Sequence, residues 1–218
     1  MVTMENSLEK IYKKDVKEIT KEDAGILMTI PCKGRGEHIL GLERSALELG
    51  GTEGVKKLKE ELKNFGYSIK FKEINPLDWY PVGLRTLGLL ILKKLFNLKD
   101  DDFIEMGVRA VAFSFILKFF FKHFLSRETA FKHVADYWRK HYTCGRLEPA
   151  EFHEEEEGRK GYFIIRLHDF KIHPIYCKFF LGYFLQVSKL LGGGNATIEE
   201  TKCIFKGDHY DEFLVKWK

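Results

Sequence analysis

The chain has 218 residues and a formal net charge of +4, with 44% hydrophobic and 31% charged residues. This length suffices for one buried core with an N-terminal appendage, and the composition excludes a disordered or collagen-like chain. Acidic residues are interspersed with basic ones, so no stripe suits a phosphate backbone and no nucleic-acid partner is expected. The 19 Phe residues indicate either an aromatic core or an apolar cavity lined by rings.

No targeting or membrane segment is expected. The first ten residues include Glu5 and Glu9 and lack an apolar run, so a signal peptide is excluded and the sequence favours a cytoplasmic protein. A charged group in the centre of a bilayer is costly. The most apolar segment, 103–125, is therefore predicted to be an amphipathic helix instead of a membrane span. The ionisable residues that interrupt it are Glu105, Arg109, Lys118, Lys122 and His123.

Residues 1–75 are predicted to form an N-terminal extension. After a polar arm or short helix, the apolar run Ala24–Ile30 predicts one strand before Pro31. Helical spacing of apolar residues predicts helices over 34–49 and 52–65, separated by Gly50 and Gly51. The alternation in Ser68–Ile74 predicts a half-buried strand.

Residues 76–218 are predicted to form the main domain. The acidic run Asp100–Asp102 suits a helix N-terminus because the macrodipole favours negative charge there. The pattern predicts a helical layer packed on a mainly antiparallel sheet, an α+β domain. The predicted elements are helices over 77–96, 101–125 and 127–141, a hairpin over 147–155 and 162–167, a helix over 174–191, and strands over 197–205 and 210–217.

Near the C-terminus, the candidate metal ligands are Cys177, Glu200, Cys203 and Asp211. Glu200 and Cys203 would lie on opposite faces of a regular strand, so they converge only if a bulge intervenes. Ligands from a helix, a strand end and a turn could then close a four-coordinate zinc site. The alternative is two buried free cysteines. His209 is the substitute fourth ligand if Asp211 is not one.

Several aromatic and histidine residues are candidates for a ligand pocket between the helices and the sheet. Small aromatic ligands are held in apolar cavities that carry a few polar groups. The alternative for each residue is plain core packing. The candidates are Trp79, Tyr80, Phe113, Phe120, His123, His133, Tyr137 and Trp138.

The C-terminal pattern resembles the closing signature of the 4-vinyl reductase (hydrocarbon-binding) domain family. The residues that carry the resemblance are Cys177, Gly182, Glu200-x-x-Cys203, Gly207 and Asp211-Glu212-Phe213-x-Val215-x-Trp217. The segment Asn75–Pro81 is similar to what precedes the long helices in archaeal members. The resemblance covers about residues 78 to 218.

The resemblance implies a fold similar to transport-protein-particle subunits and to nitric-oxide signalling ligand domains. It also implies a homodimer that binds a small hydrophobic molecule, as in sensor modules of phenol-responsive activators. Several members carry zinc bound by Cys, Glu, Cys and Cys. Here Cys177, Glu200 and Cys203 match the first three positions, and Asp211 replaces the last.

Three functions stay open. The first is a sensory or carrier module that binds a hydrocarbon or aromatic ligand, contains a structural zinc site and acts through a separate signalling partner. The second is a component of a tetrapyrrole vinyl reductase. The chain has no recognisable nicotinamide, flavin or iron–sulfur motif, so this activity would need a partner enzyme. The third is a structural adaptor. No catalytic residue is predicted.

Overall fold

Two compact units make up the chain, Met1–Lys99 and Asp100–Lys218. The computed structural model describes residues 4–118, 126–157, 159–192 and 194–217. The pocket candidates Phe120 and His123 lie outside the described residues.

The first unit consists mainly of helices. Its helices are α1 (Met4–Lys13), α2 (Lys21–Met28), α3 (Gly36–Asn64) and α4 (Val82–Phe96), and its strands β1 (Lys33–Arg35) and β2 (Trp79–Pro81) pair antiparallel. The predicted break between two helices is present as a kink in α3. There Gly51 has a φ of 62°, a left-handed conformation that glycine adopts without a steric penalty.

Two segments predicted as strands in the first unit are not strands. Residues 21–28 form α2 because a capping box starts a helix there: the Thr20 side chain accepts from the backbone N–H of Asp23, and the Asp23 side chain accepts from that of Thr20. This local cap outweighs the apolar run that begins at Ala24. Segment 68–74 contains only the short 3-10 helix Phe71–Glu73. No described strand pairs with this segment to satisfy an extended backbone.

The second unit packs helices on a four-stranded sheet. Its helices are α5 (Asp100–Phe113), α6 (Arg127–Lys132), α7 (Val134–His141) and α8 (Ile175–Leu190), and its strands are β3 (Arg146–His153), β4 (Gly161–His168), β5 (Thr197–Lys202) and β6 (Asp211–Trp217). The sheet order is β3-β4-β6-β5 and every pairing is antiparallel. The predicted α+β class and its β-β-α-β-β segment are confirmed. The helix predicted over 101–125 is interrupted at Ser114, after which residues 115–118 are helical again, and the one predicted over 127–141 is divided at His133.

Helix α8 is the centre of the second unit. Its Gly182 approaches the backbone of α5, and its Phe184 ring lies 5.2 Å from the ring of Phe213 in β6, centroid to centroid. Phe213 is fully buried, as is Leu167 in β4. The helix is thus held between α5 and the sheet.

Within the described part of the chain, no helix has both the length and the apolar character needed to cross a lipid bilayer.

Candidate functional site

An apolar pocket lies inside the second unit, between α6, α7, α8 and the strands β3 and β4. The pocket has a volume of about 530 Å³ when the space at its open mouth is included. The part of this space that the centre of a water-sized molecule can reach is much smaller, about 50 Å³. One water needs about 10–15 Å³ on this scale, so the pocket admits a molecule of a few heavy atoms. The described lining residues are Leu117, Arg127, Ala130, Phe131, Val134, Tyr137, Leu147, Phe163, Ile165, Tyr183, Phe184, Val187, Ser188 and Leu191.

The polar side chains around the pocket bond to the protein itself. The Arg127 guanidinium donates to the carbonyls of Leu191 and Gly192 at 3.1 and 3.0 Å, just beyond the C-terminal end of α8. The Ser188 hydroxyl donates to the Phe184 carbonyl one turn earlier, at 2.7 Å. The wall that faces a ligand is therefore almost entirely apolar.

Two tyrosine hydroxyls provide the remaining polar feature of the wall. Those of Tyr137 in α7 and Tyr183 in α8 hydrogen-bond to each other. Each hydroxyl has one proton to donate and two lone pairs to accept with, so hydroxyl groups are the polar atoms that a ligand meets at this part of the wall.

Of the described residues among those predicted from the sequence to bind a ligand, Tyr137 is the one that lines this pocket. Trp138 is buried in the core instead, where its indole N–H donates to the Cys144 carbonyl at 2.9 Å. The His133 side chain is 45% exposed and lies 3.3 Å from the Asp136 carboxylate. Phe113 is 42% exposed.

The other two predicted ligand-binding residues belong to the first unit. Trp79 lies under the Arg35 guanidinium, with 3.7 Å between the guanidinium carbon and the ring centroid. The Tyr80 hydroxyl accepts a hydrogen bond from the backbone N–H of Asn75 at 3.2 Å. Both residues have local structural contacts, and neither lines the pocket.

Most of the pocket wall comes from residues that sequence reasoning missed. Phe163 in β4 and Val187 in α8 are examples. Their sequence signal was alternation in a strand or apolar spacing in a helix, which identifies a buried face but not the cavity that it borders.

A second site is the cluster of Cys177, Glu200, Cys203 and Asp211, hereafter the tetrad. One donor atom from each residue lies within 4.8 Å of every other. The Sγ atoms of the two cysteines are 3.8 Å apart, and the Cys177 Sγ lies 3.9 Å from an Asp211 carboxylate oxygen. Both cysteines are free thiols, and both are buried.

Local backbone geometry brings the tetrad together. Cys177 is in the first turn of α8, and Asp211 begins β6. The pairing of β5 with β6 shifts register between Glu200 and Lys202, which is the irregularity that Glu200 and Cys203 require in order to converge. The chain then turns tightly, and the backbone N–H of Ile204 donates to the Asp211 carboxylate at 2.9 Å. His209, the substitute ligand, is exposed and is not part of the cluster.

The electrostatics of the tetrad reflect burial and mutual contact. Burial is the largest effect on Asp211 and raises its pKa to about 6. The pKa of Cys177 is raised because its thiol donates a hydrogen bond to Cys203 and because it is buried. The same hydrogen bond lowers the pKa of Cys203. Cys203 is therefore the sulfur that loses its proton more readily.

Neither a protein-family profile nor a curated protein sequence matches the chain. Solved structures do. An oxygen-binding H-NOX domain related to soluble guanylate cyclases superposes with a TM-score of 0.60 and 14% identity, over 84% of this chain and 95% of that one. An H-NOX protein from S. oneidensis in the Fe(II)NO state gives a TM-score of 0.62 and 11% identity, over 84% of this chain and 99% of that one. The chain has the H-NOX fold.

The H-NOX matches correct two predictions. The resemblance to the 4-vinyl reductase family is wrong, because the solved structures described above are H-NOX domains and no family profile matches. The predicted zinc cofactor is wrong as well, since heme is the group named for two of the matched structures, one of them described as a member of the H-NOX family. The prediction of a fold similar to nitric-oxide signalling ligand domains is confirmed.

The pocket of the second unit does not fit heme. Proteins ligate heme iron through His, Cys, Met or Tyr side chains. Among the described lining residues, only Tyr137 and Tyr183 belong to these types, and their hydroxyls bond to each other. The space of about 50 Å³ is also far smaller than a tetrapyrrole requires. The described residues of this pocket therefore do not form a heme site.

Proposed function

We propose that the chain is a sensory or carrier module that binds a small, predominantly apolar molecule in the pocket of its second unit. The observation that carries the proposal is the apolar wall, whose Arg127 and Ser188 side chains bond to the protein's own carbonyls. Burial of apolar ligand surface against such a wall is favourable by about 25 cal/mol per Å². A polar ligand would lose its hydration without gaining partners.

The size of the pocket restricts the ligand further. A space of about 50 Å³ suits one small ring or a short aliphatic chain. The hydroxyls of Tyr137 and Tyr183 lie side by side in an otherwise apolar stretch of the described wall, so a monocyclic aromatic molecule with a single hydroxyl is the ligand that matches the wall best. Tyr137 is the residue predicted from the sequence that we retain as a ligand contact.

Binding is favoured over catalysis by the identity of the lining residues. Among the described ones, none supplies a carboxylate, an imidazole, an amine or a thiol for proton transfer or nucleophilic attack. The Ser188 hydroxyl donates to the Phe184 carbonyl, and those of Tyr137 and Tyr183 bond to each other. The reductase component and the adaptor, the other two functions considered, gain no specific support from the pocket.

Thermal unfolding with a panel of benzene, toluene, phenol and short alkanols tests the proposal. A ligand at a hundredfold excess over its Kd stabilises the folded state by about 2.7 kcal/mol. Val187→Phe would fill the pocket and abolish this stabilisation. Leu190→Phe is the matched control, because Leu190 lies on the same helix, is 54% exposed and does not line the pocket.

The proposal fails if no panel member raises the Tm, or if Leu190→Phe abolishes the effect as completely as Val187→Phe does. It also fails if hemin binds stoichiometrically and Val187→Phe prevents that binding, because heme would then occupy the pocket. The expected homodimer and a separate signalling partner stay predictions; sedimentation of the purified chain tests the first of these.

A further inference from the structure

We propose that the tetrad binds a divalent transition-metal ion. Metal–sulfur bonds of about 2.3 Å in a tetrahedral arrangement place two sulfurs about 3.8 Å apart. The Sγ atoms of Cys177 and Cys203 are 3.8 Å apart. The carboxylate oxygens of Glu200 and Asp211 complete four donors that all lie within 4.8 Å of one another. Four donor atoms are thus already grouped at distances close to those of one coordination sphere.

A second and independent observation is an orphaned oxygen on Glu200. Its side chain is 6% exposed, and its Oε1 is buried with no hydrogen-bond partner among the residues that the structure describes. The other carboxylate oxygen lies 3.5 Å from the Lys206 ammonium, whose side chain is 70% exposed. A buried carboxylate oxygen without a partner is costly unless it is hydrogen-bonded or coordinates a metal. A cation among the tetrad supplies the missing partner.

The charge of the tetrad also favours a bound cation. Two carboxylates and two thiols converge in a buried space, and like charges brought together in this way repel when ionised. Lys206, the exposed cation that pairs with Glu200, offsets at most part of that charge. A bound divalent ion would allow both carboxylates and both sulfurs to be ionised together.

The donor set restricts the class of ion. Thiolates prefer soft ions and carboxylates prefer hard ones. A mixed set of two sulfurs and two oxygens suits an ion between these classes, such as Fe²⁺ or Co²⁺. None of the tetrad residues lines the apolar pocket, so the two sites can be tested separately.

Titration of the reduced, chelator-treated full chain with Co²⁺ tests the proposal. Absorption from thiolate-to-cobalt charge transfer reports sulfur ligation, and the visible ligand-field bands report the geometry. We expect saturation at one Co²⁺ per chain, together with a rise in Tm. Glu200→Gln keeps the side-chain volume but removes the charge, and should weaken binding at least tenfold. Glu199→Gln is the matched control, because Glu199 is the preceding residue of β5 and is exposed.

Three outcomes overturn the proposal. The first is the absence of a charge-transfer band on the reduced wild-type protein, and the second is an equal loss of affinity in Glu200→Gln and Glu199→Gln. The third is a Co²⁺ complex whose spectrum survives Cys203→Ser unchanged, since the ion would then lie elsewhere. If Cys203→Ser fails to fold, Asp211→Asn supplies the same comparison, and unchanged Co²⁺ affinity in that variant overturns the proposal.

Discussion

Gly182 of α8 lies directly against the backbone of Ile104 in α5. A Cβ atom built on Gly182 would be 1.8 Å from the Ile104 carbonyl oxygen, and one built on Gly107 in α5 would be 2.0 Å from the Phe179 carbonyl oxygen. The two helices therefore approach each other through glycines at both points. Since α8 also contributes to the apolar pocket and to the tetrad, this approach fixes the position of both sites.

The first prediction is that Gly182→Ala destabilises the protein by about 3 kcal/mol, the upper part of the range for overpacking, because backbone atoms cannot move aside as a flexible side chain can. The measurement is urea unfolding monitored by circular dichroism. Gly41→Ala is the control: Gly41 is also inside a helix, but its added Cβ meets nothing within 4 Å. That change should stabilise by up to about 1 kcal/mol. Equal effects in the two variants would contradict the close approach.

The C-terminal sheet could be predicted from the sequence because its signals are local. Alternating apolar residues in β4 and β6 and turn residues between strands determine the hairpins without reference to the rest of the chain. The strand predicted from Ala24 was wrong because a run of apolar residues does not distinguish a buried strand from a buried helix. The capping box of Thr20 and Asp23 decided between them.

The two sites differ in how far the sequence revealed them. The tetrad residues were chosen by residue type together with the resemblance of the C-terminal pattern, because the same segment also contains Glu199, Asp208 and Glu212. Their convergence depended on the register shift between Glu200 and Lys202, which no residue in β5 signals. The pocket could not be predicted, since Leu117, Phe163 and Val187 are distant in sequence and border the cavity only once the chain has folded.

A second prediction concerns stability in acid. Burial tends to raise the pKa of Asp23, but hydrogen bonds from the Lys14 ammonium and from Thr20 outweigh it, and the net pKa is lowered. Both carboxylate oxygens lie 2.7 Å from the Lys14 Nζ. The pKa of Asp23 is thus lower in the folded state than its unfolded value of about 3.9. The ionised Asp23 side chain stabilises the fold fully above that unfolded value, and this stabilisation is lost as the pH falls through the folded-state pKa.

Asp23→Asn should therefore lower the unfolding free energy at pH 7 by about 1–2 kcal/mol, because the charged hydrogen bonds are lost. It should also flatten the dependence of stability on pH below about pH 4. Chemical unfolding at a series of pH values measures both effects. Glu22→Gln, an exposed change in the same helix, should alter neither. An unchanged acid slope in Asp23→Asn would exclude Asp23 as the group responsible.

A third prediction is that a change at Trp138, which lies in the core, affects stability but not ligand binding. Trp138 donates to the Cys144 carbonyl and packs against Phe170 and Phe180, with ring centroids 5.1 and 5.4 Å away. Trp138→Phe should destabilise by about 2–3 kcal/mol, through lost volume and an unpaired carbonyl. Ligand affinity should stay the same, since Trp138 does not line the pocket. Calorimetry of the variant with the best panel ligand measures the affinity, and a tenfold loss would place Trp138 at the ligand after all.

The last prediction concerns the tyrosine pair, and it rests on the proposed function. Tyr137→Phe removes one of the two hydroxyls while keeping the ring that forms the wall. Binding of phenol should weaken by about 1 kcal/mol, the typical net value of a hydrogen bond. Benzene binding should be unchanged, because it depends on the apolar wall alone.

Tyr162→Phe is the control, since Tyr162 lies on β4 outside the described lining. If phenol and benzene weaken equally in Tyr137→Phe, the ring packing of Tyr137 matters and its hydroxyl does not. The ligand class would then narrow to molecules without a polar atom.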